Sequence, residues 1–181
     1  MPHRKHLINQ YIEEGSIGVE IGVWTGEFTN LIISSKNIKK LYALDPWISQ
    51  PKYPGRWYGG KHPKFKNTKM DGVYENVKKR FKDNKNVHLL RDYSTHICKH
   101  IKVNELDWAY IDGNHSCEFV TEDLENCRKL VKNGGYLLCD DYHWKDPQAN
   151  GGPKKAIQHF CKKYNLPLKV IKTQAVIKNI K

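Results

Sequence analysis

Apolar residues follow two alternating patterns along the chain. Short, nearly continuous apolar runs at residues 17–23, 41–44, 87–90, 106–111 and 135–139 predict buried strands. Between them, apolar positions recur three and four residues apart, which predicts helices with one buried face. Residues 3–14 place Leu7, Ile8, Tyr11 and Ile12 together, and residues 25–35 do the same with Phe28, Leu31 and Ile32. Residues 69–83 carry the stripe Met70, Val73, Tyr74, Val77 and Phe81, and residues 117–131 carry Phe119, Val120, Leu124, Cys127, Leu130 and Val131. Residues 96–101 predict a short helix, and residues 153–164 a helix with Pro153 in its first turn. Residues 168–171 and 175–177 predict a closing pair of strands.

Strands alternating with helices at this pitch predict an α/β fold, a doubly wound, mostly parallel sheet with helices on both faces, built as one domain over residues 1–181. Ligands of such sheets bind at the carboxyl ends of the strands. Asp45, Asp92, Asp112, Asp140 and Asp141 fall at those ends. One such aspartate alone would serve as a helix cap or turn residue. Five in series are harder to explain by capping. Residues 46–68 break the scheme: the stretch is long and holds Trp47, Tyr53, Trp57, Tyr58 and Phe65. It predicts either a loop covering a site or a packed surface loop whose aromatics complete the core.

Charge adds a competing picture. The 181 residues hold 31 Lys+Arg against 19 Asp+Glu, a net charge of +12, which invites a nucleic-acid reading. Only Arg4, Arg56, Arg80, Arg91 and Arg128 are arginines, however, and arginine is the preferred fork for phosphate and base edges. No RNA-binding motif accompanies the charge. No apolar run is long enough to span a membrane, and the opening Met-Pro-His-Arg-Lys-His has no apolar core of a signal peptide behind it. The five cysteines are odd in number and form no Cys-x-x-Cys. They predict neither a zinc knuckle nor a disulfide framework, and fit a reducing, cytoplasmic setting.

Two constellations carry candidate chemistry. In the first, Glu20-Ile21-Gly22-Val23-Trp24-Thr25-Gly26 puts an acid and two glycines between a strand and a helix, and Asp45 ends the next strand. Glycines let the backbone approach a ligand, helix N–H groups face it, and a carboxylate suits a ribose diol. The same glycines would also suit a turn that packs helix on strand. In the second, Asp112-Gly113-Asn114-His115 and Cys139-Asp140-Asp141 are strand exits whose acids can converge. Three carboxylates without cysteine favour a hard cation such as Mg²⁺, Mn²⁺ or Ca²⁺. Ser116 and Asp141 would alternatively cap the helices that follow.

Together these motifs resemble class I S-adenosylmethionine-dependent methyltransferases, in particular the small metal-dependent O-methyltransferases of the macrocin-like sugar type and, more distantly, the catechol type. The resemblance spans about residues 15–145. It implies a Rossmann-like seven-stranded sheet with an antiparallel last strand. It implies that Glu20, Gly22 and Gly26, with Trp24 and Thr25 between the glycines, cradle the methionine part of S-adenosylmethionine. Asp45 would hold the ribose, with Trp47 near the adenosine and Asp92, Tyr93 and Ser94 around the adenine. Asp112, Asp140 and Asp141 would hold the metal, and Asp112 would border both cofactor and catalytic centre. Where the family often has Gly-Asp-Ser after the third strand, this chain has Asp92-Tyr93-Ser94. Where sugar-type relatives often carry an acid as base, it has Asn114. His115, three past Asp112 where catechol-type relatives place a lysine, is therefore the expected base, with His143 as competitor.

The expected reaction is methyl transfer to a hydroxyl of a sugar, glycan or small diol, assisted by a divalent cation. Methylation of RNA by a basic surface, or a non-catalytic cofactor-binding module, are the alternatives.

Overall fold

The structure is a computed structural model that describes residues 2–49, 67–145 and 150–181. Its strands are β1 (Ile17–Ile21), β2 (Lys40–Leu44), β3 (Val87–Leu90), β4 (Leu106–Ile111), β5 (Val131–Cys139), β6 (Leu168–Ile171) and β7 (Gln174–Lys178). They form one sheet in the order β3-β2-β1-β4-β5-β7-β6. The first five run parallel, and β7 lies antiparallel to both β5 and β6. This is the doubly wound sheet that the sequence pattern predicts, with the seven strands and reversed last strand that the family resemblance implies.

Helices α1 (Pro2–Tyr11), α2 (Glu27–Ser35), α3 (Asn67–Phe81), α4 (Cys117–Leu130) and α5 (Gly152–Tyr164), with a 3-10 helix (Ser94–Lys99), cover the sheet. Alternate residues of a strand point to opposite faces. Accordingly Trp108 and Tyr110 pack with Leu7 and Ile8 of α1 and Phe28 and Ile32 of α2. Ala109 and Ile111 pack with Leu124 and Cys127 of α4 and Ile157 and Phe160 of α5. Ala43 packs with Met70, Val77 and Phe81 of α3. No helix among the described residues is long and apolar enough to cross a membrane.

Several boundaries differ from the sequence pattern; α1 ends at Tyr11 rather than at residue 14, and β1 at Ile21 rather than at residue 23. The helix over 117–131 stops at Leu130, because Val131 pairs with Leu106 and starts β5 four residues earlier than expected. The register then slips before Trp108, and exposed residues 132–134 form the irregularity. Gly135 closes it: a Cβ there would lie 2.4 Å from the Asp107 carbonyl oxygen. Helix α2 begins at Glu27 rather than 25, since Gly26 takes a left-handed conformation (φ 76°) as its cap. Ser116 caps α4, as expected, accepting from the Phe119 N–H.

The register positions the site. Ile21 pairs with Leu44 and Ile111, and Ile111 with Cys139. The residues that follow therefore emerge side by side, with Gly22 N–H donating to Leu44, Asp112 N–H to Ile21 and Asp140 N–H to Ile111. The sheet grows in opposite directions from β1 and β4, so this row is the topological switch point, where open α/β sheets bind ligands.

Candidate active site

A cavity of about 600 Å³ opens over that row, a volume suited to a small molecule or cofactor. Glu20, Gly22, Trp24, Thr25, Asp45, Asp92, Tyr93, Ser94, Asp112, His115 and Asp141 all line it. Gly22 is indispensable to its floor. Its φ is +93°, and a Cβ would lie 2.1 Å from the Asp112 carbonyl oxygen, so only glycine lets the two strand exits meet.

The acids along the cavity are held in different ways. Glu20 is buried and accepts a 2.5 Å hydrogen bond from the Thr29 hydroxyl; burial pushes its pKa up to about 8. Asp45 accepts from the backbone N–H groups of Trp24 (2.9 Å) and Trp47 (2.7 Å), and its burial nevertheless raises its pKa. Asp92 accepts from its own neighbour's N–H and pairs with His100 and His96, each at 2.8 Å, which holds it far below the usual carboxylate range.

At the β4 and β5 exits, His115 Nε2 lies 2.8 Å from Asp141 Oδ2 and 3.8 Å from Asp112 Oδ1. Burial alone would lower the His115 pKa, but the Asp141 hydrogen bond and the surrounding carboxylates outweigh it and raise it. Its ring packs 5.0 Å from that of Trp144. Asp112 is pushed up to about 8 by burial and by the charge of Asp140, despite Arg4 and His115. One ligand atom each from Asp112, His115 and Asp141 lie within 4.8 Å of one another.

Four expected placements come out differently. Asp140 is buried beneath the site rather than facing it. Its carboxylate accepts from Tyr110 Oη (2.7 Å), Gln174 Nε2 (3.2 Å) and the Asp141 N–H (2.8 Å), and it pairs with Arg4. It is therefore not among the clustered ligand atoms expected of Asp112, Asp140 and Asp141; His115 takes that place. The Trp47 side chain is fully buried among Val23, Met70, Val77 and Phe81 and gives its Nε1–H to the Trp24 carbonyl, so it has no surface for the adenosine. Gly26 is absent from the cavity lining; a Cβ there would press on Phe81 at 2.7 Å, so this glycine serves helix packing. His143, the competing base, is exposed and outside the lining. Most of the aromatic stretch 46–68 lies outside the described residues.

One cavity residue carries no signal in the motifs. Arg4 of α1 reaches the carboxyl ends of β4 and β5, and its Nη2 donates to Asp112 Oδ2 at 3.0 Å and pairs with Asp140. Its scarcity as an arginine is the one sequence feature that sets it apart.

The pattern of the methyltransferase-domain family matches residues 19–142, the span from β1 to just past β5. The chain belongs to that family. Family membership implies S-adenosylmethionine as the methyl donor. This methyltransferase domain is 28% identical over 141 residues to the uncharacterized protein R132 of Acanthamoeba polyphaga mimivirus, a match over 76% of this chain and 57% of that protein. The chain thus spans little more than half the length of that relative. Among solved structures it resembles a Clostridium thermocellum protein described as an rRNA methylase, with a TM-score of 0.68 at 14% identity over 99% of this chain and 94% of that one. It resembles the O-methyltransferase NovP, with a TM-score of 0.66 at 18% identity over 99% and 79%. It also resembles SMU.1697c of Streptococcus mutans in complex with SAH, with a TM-score of 0.64 at 16% identity over 96% and 94%. At these identities the likeness concerns the fold.

Proposed function

We propose that the domain transfers a methyl group from S-adenosylmethionine to a hydroxyl of a sugar, glycan or small diol, with His115 accepting the hydroxyl proton. The observation that carries this reading is the His115–Asp141 hydrogen bond in the cavity wall beside Asp112. When bound, S-adenosylmethionine supplies a methyl already activated by its sulfonium. The cavity suits it: Gly22 leaves no room for a side chain where the backbone must meet the ligand, and Asn114 Nδ2, buried and without a hydrogen-bond partner among the described residues, offers a donor. Glu20, Gly22, Trp24 and Thr25 would hold the methionine end, Asp45 the ribose, and Asp92, Tyr93 and Ser94 the adenine surroundings.

The chain's own work is then orientation and proton transfer. Asp141 fixes the His115 ring and, by accepting from Nε2, leaves the lone pair on Nδ1. Trp144 beside the imidazole gives a flat apolar surface against which a sugar or aromatic ring can rest.

The clustered ligand atoms of Asp112, His115 and Asp141 favour a second reading. Their two oxygens and one nitrogen fit a divalent cation such as Mg²⁺ or Mn²⁺. Such a cation would lower the pKa of an acceptor hydroxyl. The readings part at His115, since Nε2 held by a cation leaves the ring's one proton on Nδ1, which then has no lone pair to accept another. Methyl transfer to a panel of vicinal diols separates them. Transfer that survives a chelator and is lost in His115→Ala supports the base, and transfer abolished by the chelator supports the cation. Cofactor binding with no transfer to any hydroxyl overturns both.

A further inference from the structure

The charges around the cavity are lopsided. Its described lining includes the acids Glu20, Glu27, Asp45, Asp92, Asp112 and Asp141, but Arg4 is the only Lys or Arg among them. Glu27 is paired with Arg80 outside the lining, and Asp92 with His96 and His100. A ligand rich in phosphate would meet mostly repulsion here. A ligand with net positive charge and one anionic group would match.

Arg4 is built to meet that one group. Its Nη2 carries both acid contacts, to Asp112 and Asp140, while Nη1 and Nε make no hydrogen bond with any described residue. The side chain is 21% exposed, its guanidinium lies 5.4 Å from the Phe28 ring centre, and both residues line the cavity. Helix α1 is locked in place by Leu7, Ile8 and Ile12, which are buried against Phe28, Trp108 and Tyr110. The fork is therefore rigidly presented, with donors to spare, beside Glu20 and Gly22.

We propose that Arg4, from a helix outside the family-matched segment, anchors the carboxylate of the cofactor's amino-acid end, while Glu20 and Asp112 face its ammonium. Resting on the cofactor reading above, this makes α1 part of the binding site and its Arg4 a determinant of zwitterion recognition. An amino-acid group needs one cation and one acid side by side, and this end of the cavity is where the described residues bring them together.

The test compares S-adenosylhomocysteine with its decarboxylated form, which keeps the amine and loses only the carboxylate, by titration calorimetry. The wild-type chain is expected to bind the intact ligand about tenfold or more tightly, as a charge-assisted pair to a carboxylate commands. Arg4→Gln is expected to bring the two ligands within about threefold, chiefly by weakening the intact one. Arg4→Lys, which keeps the charge for the two acids and loses the fork, guards against a folding defect and is expected to lower the preference at least about threefold. Equal affinity of both ligands for the wild-type chain, or an unchanged preference in whichever variant folds, overturns the assignment. Failure of the wild-type chain to bind either ligand overturns the cofactor reading itself, and the assignment with it.

Discussion

His115 Nε2 lies 2.8 Å from Asp141 Oδ2, although the two residues leave the sheet from different strands. Asp141 can reach it because its backbone turns left-handed (φ 50°) two residues past the end of β5, away from the path of Asp140. Asn tolerates that conformation, so Asp141→Asn keeps the turn and removes the charge that orients the imidazole. Turnover is expected to fall about 10–100-fold, with S-adenosylhomocysteine affinity changed less than about threefold. Steady-state kinetics beside calorimetry checks this, and an unchanged turnover would remove Asp141 from the mechanism.

The neighbouring acid has a different task. Asp140→Ala strips Tyr110, Gln174 and Arg4 of a shared partner in a buried setting. A loss of roughly 3 kcal/mol of stability is expected, whereas Asp141→Asn should stay within about 1 kcal/mol of wild type. Urea unfolding of the two variants distinguishes the roles; equal losses would contradict them.

Gly22→Ala forces a Cβ into the Asp112 carbonyl at a backbone angle that suits glycine. The expected result is a loss of about 2–4 kcal/mol together with loss of measurable S-adenosylhomocysteine binding. An alanine variant with normal melting and normal binding would show that the strand exits need not meet so closely.

Asp123 gives a pH prediction away from the reaction. It is buried in α4, and burial raises its pKa from 3.8 to about 7, against a smaller pull from hydrogen bonding to the Ser94 hydroxyl. The folded state thus holds a proton that the unfolded chain releases above about pH 4. Stability is present below that pH, falls as pH rises toward 7 and levels off beyond it. The cost to wild type grows by about 3 kcal/mol at most between pH 4.5 and 8. Asp123→Asn removes the titration, so its advantage over wild type should be larger at pH 8 than at pH 4.5. A difference that does not change with pH, measured by urea midpoints, contradicts the buried neutral acid.

Much of this architecture is legible in the residues. The apolar runs ending in aspartate mark the strands and their carboxyl ends, because strands buried on both faces need unbroken apolar sequence and their exits do not. The cluster of Asp112, His115 and Asp141 follows from two such exits lying side by side. What sequence could not supply was the direction of individual side chains. Asp140 and Asp141 are chemically identical neighbours, and only the turn between them sends one into the core and the other into the cavity. Trp47 follows a ribose-type acid, yet α3 packs over it and buries it. Arg4 lies 108 positions from Asp112, and no local pattern reports a contact at that distance. Val131 continues the apolar stripe of α4, so its pairing with Leu106 is invisible until the sheet is assembled.

The central claim is that the methyl group moves to a hydroxyl oxygen in this cavity beside His115. The most direct measurement is carbon NMR of the product formed from S-adenosylmethionine labelled with ¹³C at the methyl, using a vicinal-diol sugar as acceptor. The account predicts a single labelled methoxy carbon with the wild-type chain and a rate reduced about 100-fold or more with His115→Ala, in the presence of cofactor concentrations that saturate both. A label found on nitrogen or carbon, or an undiminished rate in His115→Ala, would contradict it.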